Sequence, residues 1–266
     1  MTITLNKLVD VARAKAAADR EVLSSTELLT RLRDLGMLDR PGGRLATALG
    51  NEGIAVIAEV KGASPVTGEL RTGYDPAAVA RQYEAAGGAA VSVLTEETYF
   101  GGSLEALDSV ATAIDLPVLR KDFIVEAYQI HQAALAGAAA VLLIAEVLTA
   151  NELADLVGVA SECGLDAMVE VHRLESIAPA AASGSGIIGV NNRNLETMVV
   201  DWRYSLEVAE ALPEDVLRVA ESGIAQPSQL SALAAAGYDA ALVGSSLMTS
   251  ADPGSALRSL LGEAGQ

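Results

Sequence analysis

Leu116-Pro117-Val118-Leu119-Arg120-Lys121-Asp122-Phe123-Ile124-Val125 begins as a buried strand and runs into three consecutive charges. Pro117 suits the first position of a strand but not its middle. Val118 and Leu119 carry the apolar side chains of a covered sheet. An ordinary buried strand would turn next; this one presents Arg120, Lys121 and Asp122. Lysine occurs only at Lys7, Lys15, Lys61 and Lys121. Two of these, Lys61 and Lys121, stand at the ends of apolar runs, which a solvated surface role does not require. Lys121 therefore reads as chemistry.

Working outward, apolar strand-like runs recur at 54–61, 90–95, 117–123, 141–147, 166–171, 186–192, 217–223 and 240–244. Between them lie Ala-rich amphipathic stretches with helix-start signals, among them Asp75-Pro76, Ser103 and Thr149. Gly87, Gly137, Gly164 and Gly237 supply helix stops. Continuous hydrophobic strands alternating with helices indicate a parallel sheet covered on its outside. Eight such units in about 210 residues match a closed barrel. An open doubly wound sheet would need fewer strands and usually a Gly-rich first turn, and no G-x-G-x-x-G follows Val60. The expectation is an α/β fold: a single (β/α)8 TIM barrel domain over residues 1–266, with residues 1–50 as an N-terminal helical extension. In that extension Leu8, Val11, Ala12 and Ala16 share a face. Ser25 with Glu27 opens a second short helix, Pro41-Gly42-Gly43 breaks it, and a third short segment runs from Arg44 to Leu49.

Hydrophobic residues make up 51% of the chain and aromatics 3%, so the core must be built from Ala, Val, Leu and Ile. The net charge of −17, without any Lys/Arg cluster, argues against nucleic acid and anionic membranes as partners. A surface that acidic repels anions, so an anion site must be locally positive. The single Cys163 excludes an internal disulfide framework, and with two histidines it leaves no Cys/His metal set. No basic region followed by an apolar core opens the sequence, and no apolar run is long enough to span a membrane. A cytoplasmic monomer is expected.

Barrel active sites lie at the C-terminal ends of the strands. Residues two apart point to the same side of a strand, so Glu59 and Lys61 face the mouth together, as do Lys121 and Phe123. The fifth run places Glu170 alone among apolar residues. The sixth gives Asn191 and Arg193 on one face, the seventh Glu221-Ser222-Gly223, and the eighth Gly244-Ser245-Ser246. A buried Glu–Lys pair by itself is equally well read as a structural ion pair. Six strands offering polar groups to one mouth are harder to explain that way. His131, on the helix after the third strand, and His172, just past the fifth, read as plain helix or loop residues. Cys163 reads as core packing and Glu96-Glu97 as a solvated loop. Small residues after the last two strands let backbone N–H groups approach an anion, a phosphate cradle.

These residues resemble the indole-3-glycerol phosphate synthase family. The matching stretches are Ile57-Ala58-Glu59-Val60-Lys61 with Ala63-Ser64-Pro65, Tyr99-Phe100-Gly101-Gly102-Ser103, Leu119-Arg120-Lys121-Asp122-Phe123-Ile124 and Val169-Glu170-Val171-His172. They continue through Gly189-Val190-Asn191-Asn192-Arg193-Asn194-Leu195, Ala220-Glu221-Ser222-Gly223-Ile224 and Val243-Gly244-Ser245-Ser246. The resemblance covers the whole barrel in order. It implies a small phosphorylated substrate, 1-(2-carboxyphenylamino)-1-deoxyribulose 5-phosphate, whose pyrrole ring closes before CO₂ and water leave, with no cofactor or metal. It implies that Lys121 is the general acid, Glu170 a base or charge stabiliser, and Asn191 a positioner of substrate. Glu59 and Lys61 would serve ring closure or dehydration, Lys61 also holding the carboxylate. Glu221, Arg193 and Ser222 would contact substrate, Ser64, Gly223, Gly244 and Ser245 would hold the phosphate, and Phe100 and Phe123 would pack on the anthranilate ring.

An acid at Lys121 suggests a lysine whose pKa is lowered by a neighbouring cation. One loop departs from the family pattern, in which the lysine is usually followed by Arg, a small residue, Ser-Pro-Ser, a basic residue and Gly. Here it reads Gly62-Ala63-Ser64-Pro65-Val66-Thr67-Gly68, two cations and a serine short, which predicts a weaker grip on substrate anions. Three alternatives stand beside the synthase: a sugar-phosphate isomerase such as phosphoribosylanthranilate isomerase, a barrel that binds phosphate without catalysis, and a paralogue acting on a modified substrate in another indole pathway. The isomerase chemistry typically wants a Cys or Asp acid–base pair at strand ends, which the Glu/Lys/Lys/Glu set does not supply.

Overall fold

A computed structural model of the chain describes residues 4–38, 40–64, 68–71, 73–195 and 197–262, and of Ser64 the backbone alone. Three helices come first: α1 (Leu5–Val22), α2 (Ser25–Asp34) and α3 (Arg44–Leu49). Ser24 and Glu27 form a capping box at the start of α2, each side chain accepting from the other's backbone N–H. On α1 the buried face is Leu8, Val9, Ala12 and Ala16. Val9 takes the place expected of Val11, which is only half-buried.

Eight strands then alternate with helices: β1 (Ala55–Val60), β2 (Ala90–Leu94), β3 (Val118–Lys121), β4 (Ala140–Ile144), β5 (Asp166–Val171), β6 (Ile187–Asn191), β7 (Leu217–Glu221) and β8 (Ala240–Val243). All pair in parallel with their sequence neighbours, and β8 pairs with β1, so the sheet closes into a (β/α)8 barrel. The helices α4 (Pro76–Ala85), α5 (Leu104–Ala113), α6 (Ala127–Leu135), α7 (Ala150–Glu162), α8 (Ile177–Ala182), α9 (Tyr204–Val208), α10 (Pro227–Ala235), α11 (Ser245–Met248) and α12 (Pro253–Leu260) complete the fold. No described helix is long and apolar enough to cross a membrane.

The strands are apolar throughout because each is buried on both faces, and the faces separate by parity. Val56, Ala58, Val60, Val141, Leu143, Val169 and Val190 pack outward with the helices. Ile57, Leu119, Leu142, Met168, Ile187, Val219 and Leu242 fill the barrel. Each Val, Leu, Ile or Met side chain among them contributes about 1.5–3 kcal/mol relative to exposure. Leu45 and Leu49 of α3 join the interior cluster and plug the end opposite the strand C-termini. That helix lacks a side-chain cap of its own. Asp166, at the start of β5, accepts from the Leu45 and Ala46 N–H groups instead, at 2.8 and 3.2 Å.

Three strands end two or three residues earlier than the sequence predicts, each for a local reason. After β3, Asp122 turns its carboxylate onto the Phe123 N–H at 2.8 Å. After β4, residues 145–147 tighten into a 3₁₀ turn that brings Glu146 to the His172 N–H. After β7, Ser222 and Gly223 take φ of 70° and 80°, which no strand accommodates.

Candidate active site

The interior face of each strand continues by twos into the mouth. Ile57 is followed by Glu59 and Lys61, Leu119 by Lys121 and Phe123, Met168 by Glu170 and His172, Ile187 by Gly189 and Asn191, Val219 by Glu221, and Leu242 by Gly244. The apolar floor thus gives way to a polar layer above it. Over that layer opens a cavity of about 370 Å³, lined by Glu59, Lys61, Phe100, Lys121, Phe123, Glu170, Asn191, Arg193, Glu221, Ser222, Gly223, Gly244 and Ser245. Every expected site residue except Ser64 lies on this lining. The backbone of Ser64 pairs with Gly68 in a short hairpin; its side chain, with Pro65, Val66 and Thr67, falls outside the described residues. Leu5 and Leu8 of α1 lean over the opening, so the extension completes the site.

Lys121 is the hub. Its Nζ lies 2.7 Å from Glu170 Oε2 and 2.7 Å from Glu221 Oε2. Burial alone would lower its pKa, but the charges of Glu170, Glu221 and Glu59 outweigh it and hold the ammonium well above the ordinary lysine range. This corrects the expectation of a lysine depressed by a neighbouring cation: Lys61 is 2.5 Å from Glu59 and spends its charge there. Burial would raise Glu170, yet Lys121 and His172 hold it well below the usual carboxylate range. Glu221 goes the other way, pushed up to about 8 by burial and by the charge of Glu170. Its second oxygen, Oε1, is buried without a hydrogen-bond partner.

Two glycines make room for these carboxylates. A Cβ on Gly244 would overlap Glu59 Oε2 and come within 3.0 Å of Lys61 Nζ. A Cβ on Gly189 would overlap Glu221 Oε1 and approach Met168 Cε to 2.6 Å. Both positions require an absent side chain rather than backbone freedom.

Asn191 Oδ1 accepts from the Ser222 hydroxyl at 2.9 Å and from the Arg193 N–H at 3.0 Å. Asn192 ties the same strand ends, its side-chain amide donating to the Ser222 carbonyl at 3.0 Å. Ser222 is thereby held in a left-handed conformation that costs a non-glycine residue of order 1 kcal/mol. Phe100 and Phe123 stand with ring centroids 6.2 Å apart, tilted by 43°.

Two residues read as bland are otherwise. Glu96 is buried, its carboxylate accepting the Thr98, Tyr99 and Phe100 N–H groups at 3.0, 2.7 and 3.0 Å. It shapes the loop that carries Phe100. His172 is buried on the interior face with Nε2 2.7 Å from Glu170 Oε1. The period of two from Met168 through Glu170 was the signal for it. Cys163 and His131 sit as expected, the first buried at the C-cap of α7 and the second on α6. Among the described residues, no three His, Cys, Asp or Glu side chains gather as a metal ion needs.

Residues 5–260 match the model of the family described as indole-3-glycerol phosphate synthase. The chain is 44% identical over 257 residues to the indole-3-glycerol phosphate synthase of a Mycobacterium species (strain KMS), covering 97% of this chain and 93% of that one. It is 51% identical over 217 residues to the protein of the same name from Micrococcus luteus, covering 82% and 80%. Among solved structures, 3-hexulose-6-phosphate synthase superposes with a TM-score of 0.64 at 16% identity over 80% of this chain and all of that one, a likeness of fold alone.

Proposed function

The chain belongs to the indole-3-glycerol phosphate synthase family, and from that premise we propose how its mouth divides the work. The activity is that of a carboxy-lyase of tryptophan biosynthesis acting on a small phosphorylated substrate. The aromatic carbon bearing the carboxylate attacks the ribulose carbonyl. CO₂ then leaves with restoration of the aromatic ring, and the new hydroxyl departs as water.

Lys121 is the acid for the first of these steps. Its N–H bond breaks toward the carbonyl oxygen as the carbon–carbon bond forms, turning the oxyanion into a hydroxyl. The observation that carries this reading is the Nζ held 2.7 Å from two carboxylates at the floor of the cavity. An ammonium so placed is protonated and aimed when substrate arrives, and the neutral amine left after the step takes a proton back from solvent or from a protonated neighbouring carboxyl. Glu170 stabilises the charge that moves through Lys121, and Glu221 contacts the substrate beside it. The Glu59–Lys61 pair supplies the second proton donor that loss of a hydroxyl needs, with Lys61 also holding the substrate carboxylate loosely enough for it to leave as CO₂.

Asn191, its oxygen engaged by Ser222 and Arg193, turns its amide NH₂ to the substrate hydroxyls. Phe100 and Phe123 receive the anthranilate ring. Backbone N–H groups at Gly223, Gly244 and Ser245, with Ser64, take the phosphate, and Arg193 adds positive charge to a molecule that otherwise repels anions. The reading takes residues 1–266 as one domain, with residues 1–50 its helical extension, acting as a cytoplasmic monomer. Sedimentation of the purified protein checks the monomer.

The test is turnover of the carboxyphenylamino-deoxyribulose phosphate, followed as the rise of indole fluorescence without added metal. A rise that disappears in Lys121→Met supports the assignment. Sustained turnover in a folded Lys121→Met protein would sink it.

A further inference from the structure

Both ring nitrogens of His172 face acceptors. Nδ1 lies 3.0 Å from the backbone carbonyl oxygen of Arg193, and Nε2 lies 2.7 Å from Glu170 Oε1. A carbonyl oxygen has no proton to give, so Nδ1 carries the hydrogen. A neutral ring would then turn a bare lone pair on Nε2 toward a carboxylate. That arrangement holds only if Glu170 is protonated, and the Lys121 ammonium on its other oxygen keeps Glu170 an anion. The ring is left as an imidazolium.

The surrounding charges agree with this. Glu170 faces the ring from β5, and Glu146, in the 3₁₀ turn after β4, accepts the His172 backbone N–H at 2.8 Å. From the segment after β6 comes the Arg193 carbonyl, while the Arg193 guanidinium donates to the Met198 carbonyl at 3.2 Å. Burial opposes the ring's charge, but Glu170 and Glu146 outweigh it and raise the histidine's pKa above its ordinary value.

We propose that His172 is a positioning residue for the reaction: as an imidazolium between the Arg193 carbonyl and Glu170, it fixes the carboxylate toward Lys121 and offsets its charge, so that Lys121 can release its proton. This rests on the reading of Lys121 as the acid. An ammonium between two full carboxylates is a poor donor, because giving up the proton leaves two buried anions uncompensated. Protonation of Glu221 removes one of those charges. His172 offsets the other, and when Lys121 becomes a neutral amine, Glu170 still faces a cation.

Because the chain has only two histidines, the test is direct. Nitrogen-15 spectra of imidazole-labelled protein, assigned with His131→Gln, are expected to show both ring nitrogens of His172 protonated at pH 7. A neutral ring with a bare Nε2 at pH 7 overturns the proposal without any change at position 172. His172→Gln keeps a hydrogen-bond donor and removes the charge. Its kcat is expected to fall about tenfold at pH 7 with KM within about twofold. The ratio of wild-type to variant kcat should shrink toward one as pH rises through the titration seen by NMR, since the wild type loses its own imidazolium there. A ratio that is one throughout, or that stays constant across that titration, refutes the role. Lys121→Met is measured alongside: turnover surviving there fails the acid assignment, whereas an inactive Lys121→Met with a wild-type His172→Gln fails only this inference.

Discussion

Strand β3 carries two ion clusters on opposite faces, and they are built differently. Outward, every guanidinium nitrogen of Arg120 has an acceptor: Nη2 donates to Asp122 Oδ2 at 2.7 Å, Nη1 to the Gln129 carbonyl at 2.6 Å and Nε to Thr95 Oγ1 at 3.0 Å. Asp122 in turn accepts from the Thr95 hydroxyl at 2.6 Å and from the Phe123 N–H. Inward, one residue along, Lys121 joins two carboxylates of which one keeps a buried oxygen without a partner. The outer cluster spends all its polar atoms on the fold, sealing β3 to α6. The inner one faces a cavity with charges that do not balance in place. A buried ion pair that is fully bonded belongs to architecture; one left incomplete at a strand end is poised for a ligand.

The largest expected effect separates the two faces by activity. Lys121→Met should lower kcat by about 10³-fold or more while leaving thermal unfolding near wild type, because the removed charge sat beside a group that can take up a proton. Steady-state turnover and a melting curve on the same preparation check it. An equal loss from Arg120→Met at full folding would erase the distinction.

Arg120→Met should act on the fold instead. It strands the Asp122 carboxylate under α6 and leaves the Gln129 carbonyl and Thr95 hydroxyl short of a donor, a loss of about 3–5 kcal/mol for breaking a buried pair. Denaturant unfolding measures it. The surviving folded fraction should turn over at the wild-type rate, which active-site titration tests.

Glu221 sharpens the contrast through pH. Its pKa is about 8 in the folded chain, above the ordinary carboxylate value, so between about pH 4.5 and 8 the native state binds a proton that the unfolded state has released. Stability contributed by this group is present below that window and lost as pH rises through it. Glu170, shifted the opposite way, contributes stability above the ordinary carboxylate range that is lost in acid. Glu221→Gln should remove the decline across pH 5–8, on the order of 2 kcal/mol, and leave the acid limb. Urea midpoints measured across that range decide it; a decline that persists in Glu221→Gln would assign the window to another group.

These two faces also explain what the sequence could disclose. Eight parallel strands were legible because burial on both sides writes each as an apolar run, and scarcity made Lys61 and Lys121 conspicuous. The strand ends overran by one to three residues because their terminators, such as Asp122 bonding the next N–H, look like ordinary polar residues. The charge state of Lys121 was hidden, since it depends on Glu221, a hundred positions away. Glu96 read as solvated because its partners are backbone N–H groups that only the folded loop brings together. His172 read as loop, although the spacing from Met168 and Glu170 already placed it on the interior face.

The smallest effect tests whether the outer cluster has anything in reserve. Thr95 both accepts from Arg120 and donates to Asp122. Replacing it with Val keeps the shape and removes both bonds, leaving Arg120 Nε without that acceptor while Nη1 and Nη2 keep theirs. The expected loss is about 1 kcal/mol, well below that of Arg120→Met, because the ion pair and the tie to α6 persist. No change in kcat should accompany it, since the hydroxyl points away from the cavity. Unfolding midpoints of Thr95→Val, Arg120→Met and the double variant close a thermodynamic cycle. If the double variant lost the full sum of the two, Thr95 would be acting apart from Arg120; a smaller loss shows the outer face behaving as one unit.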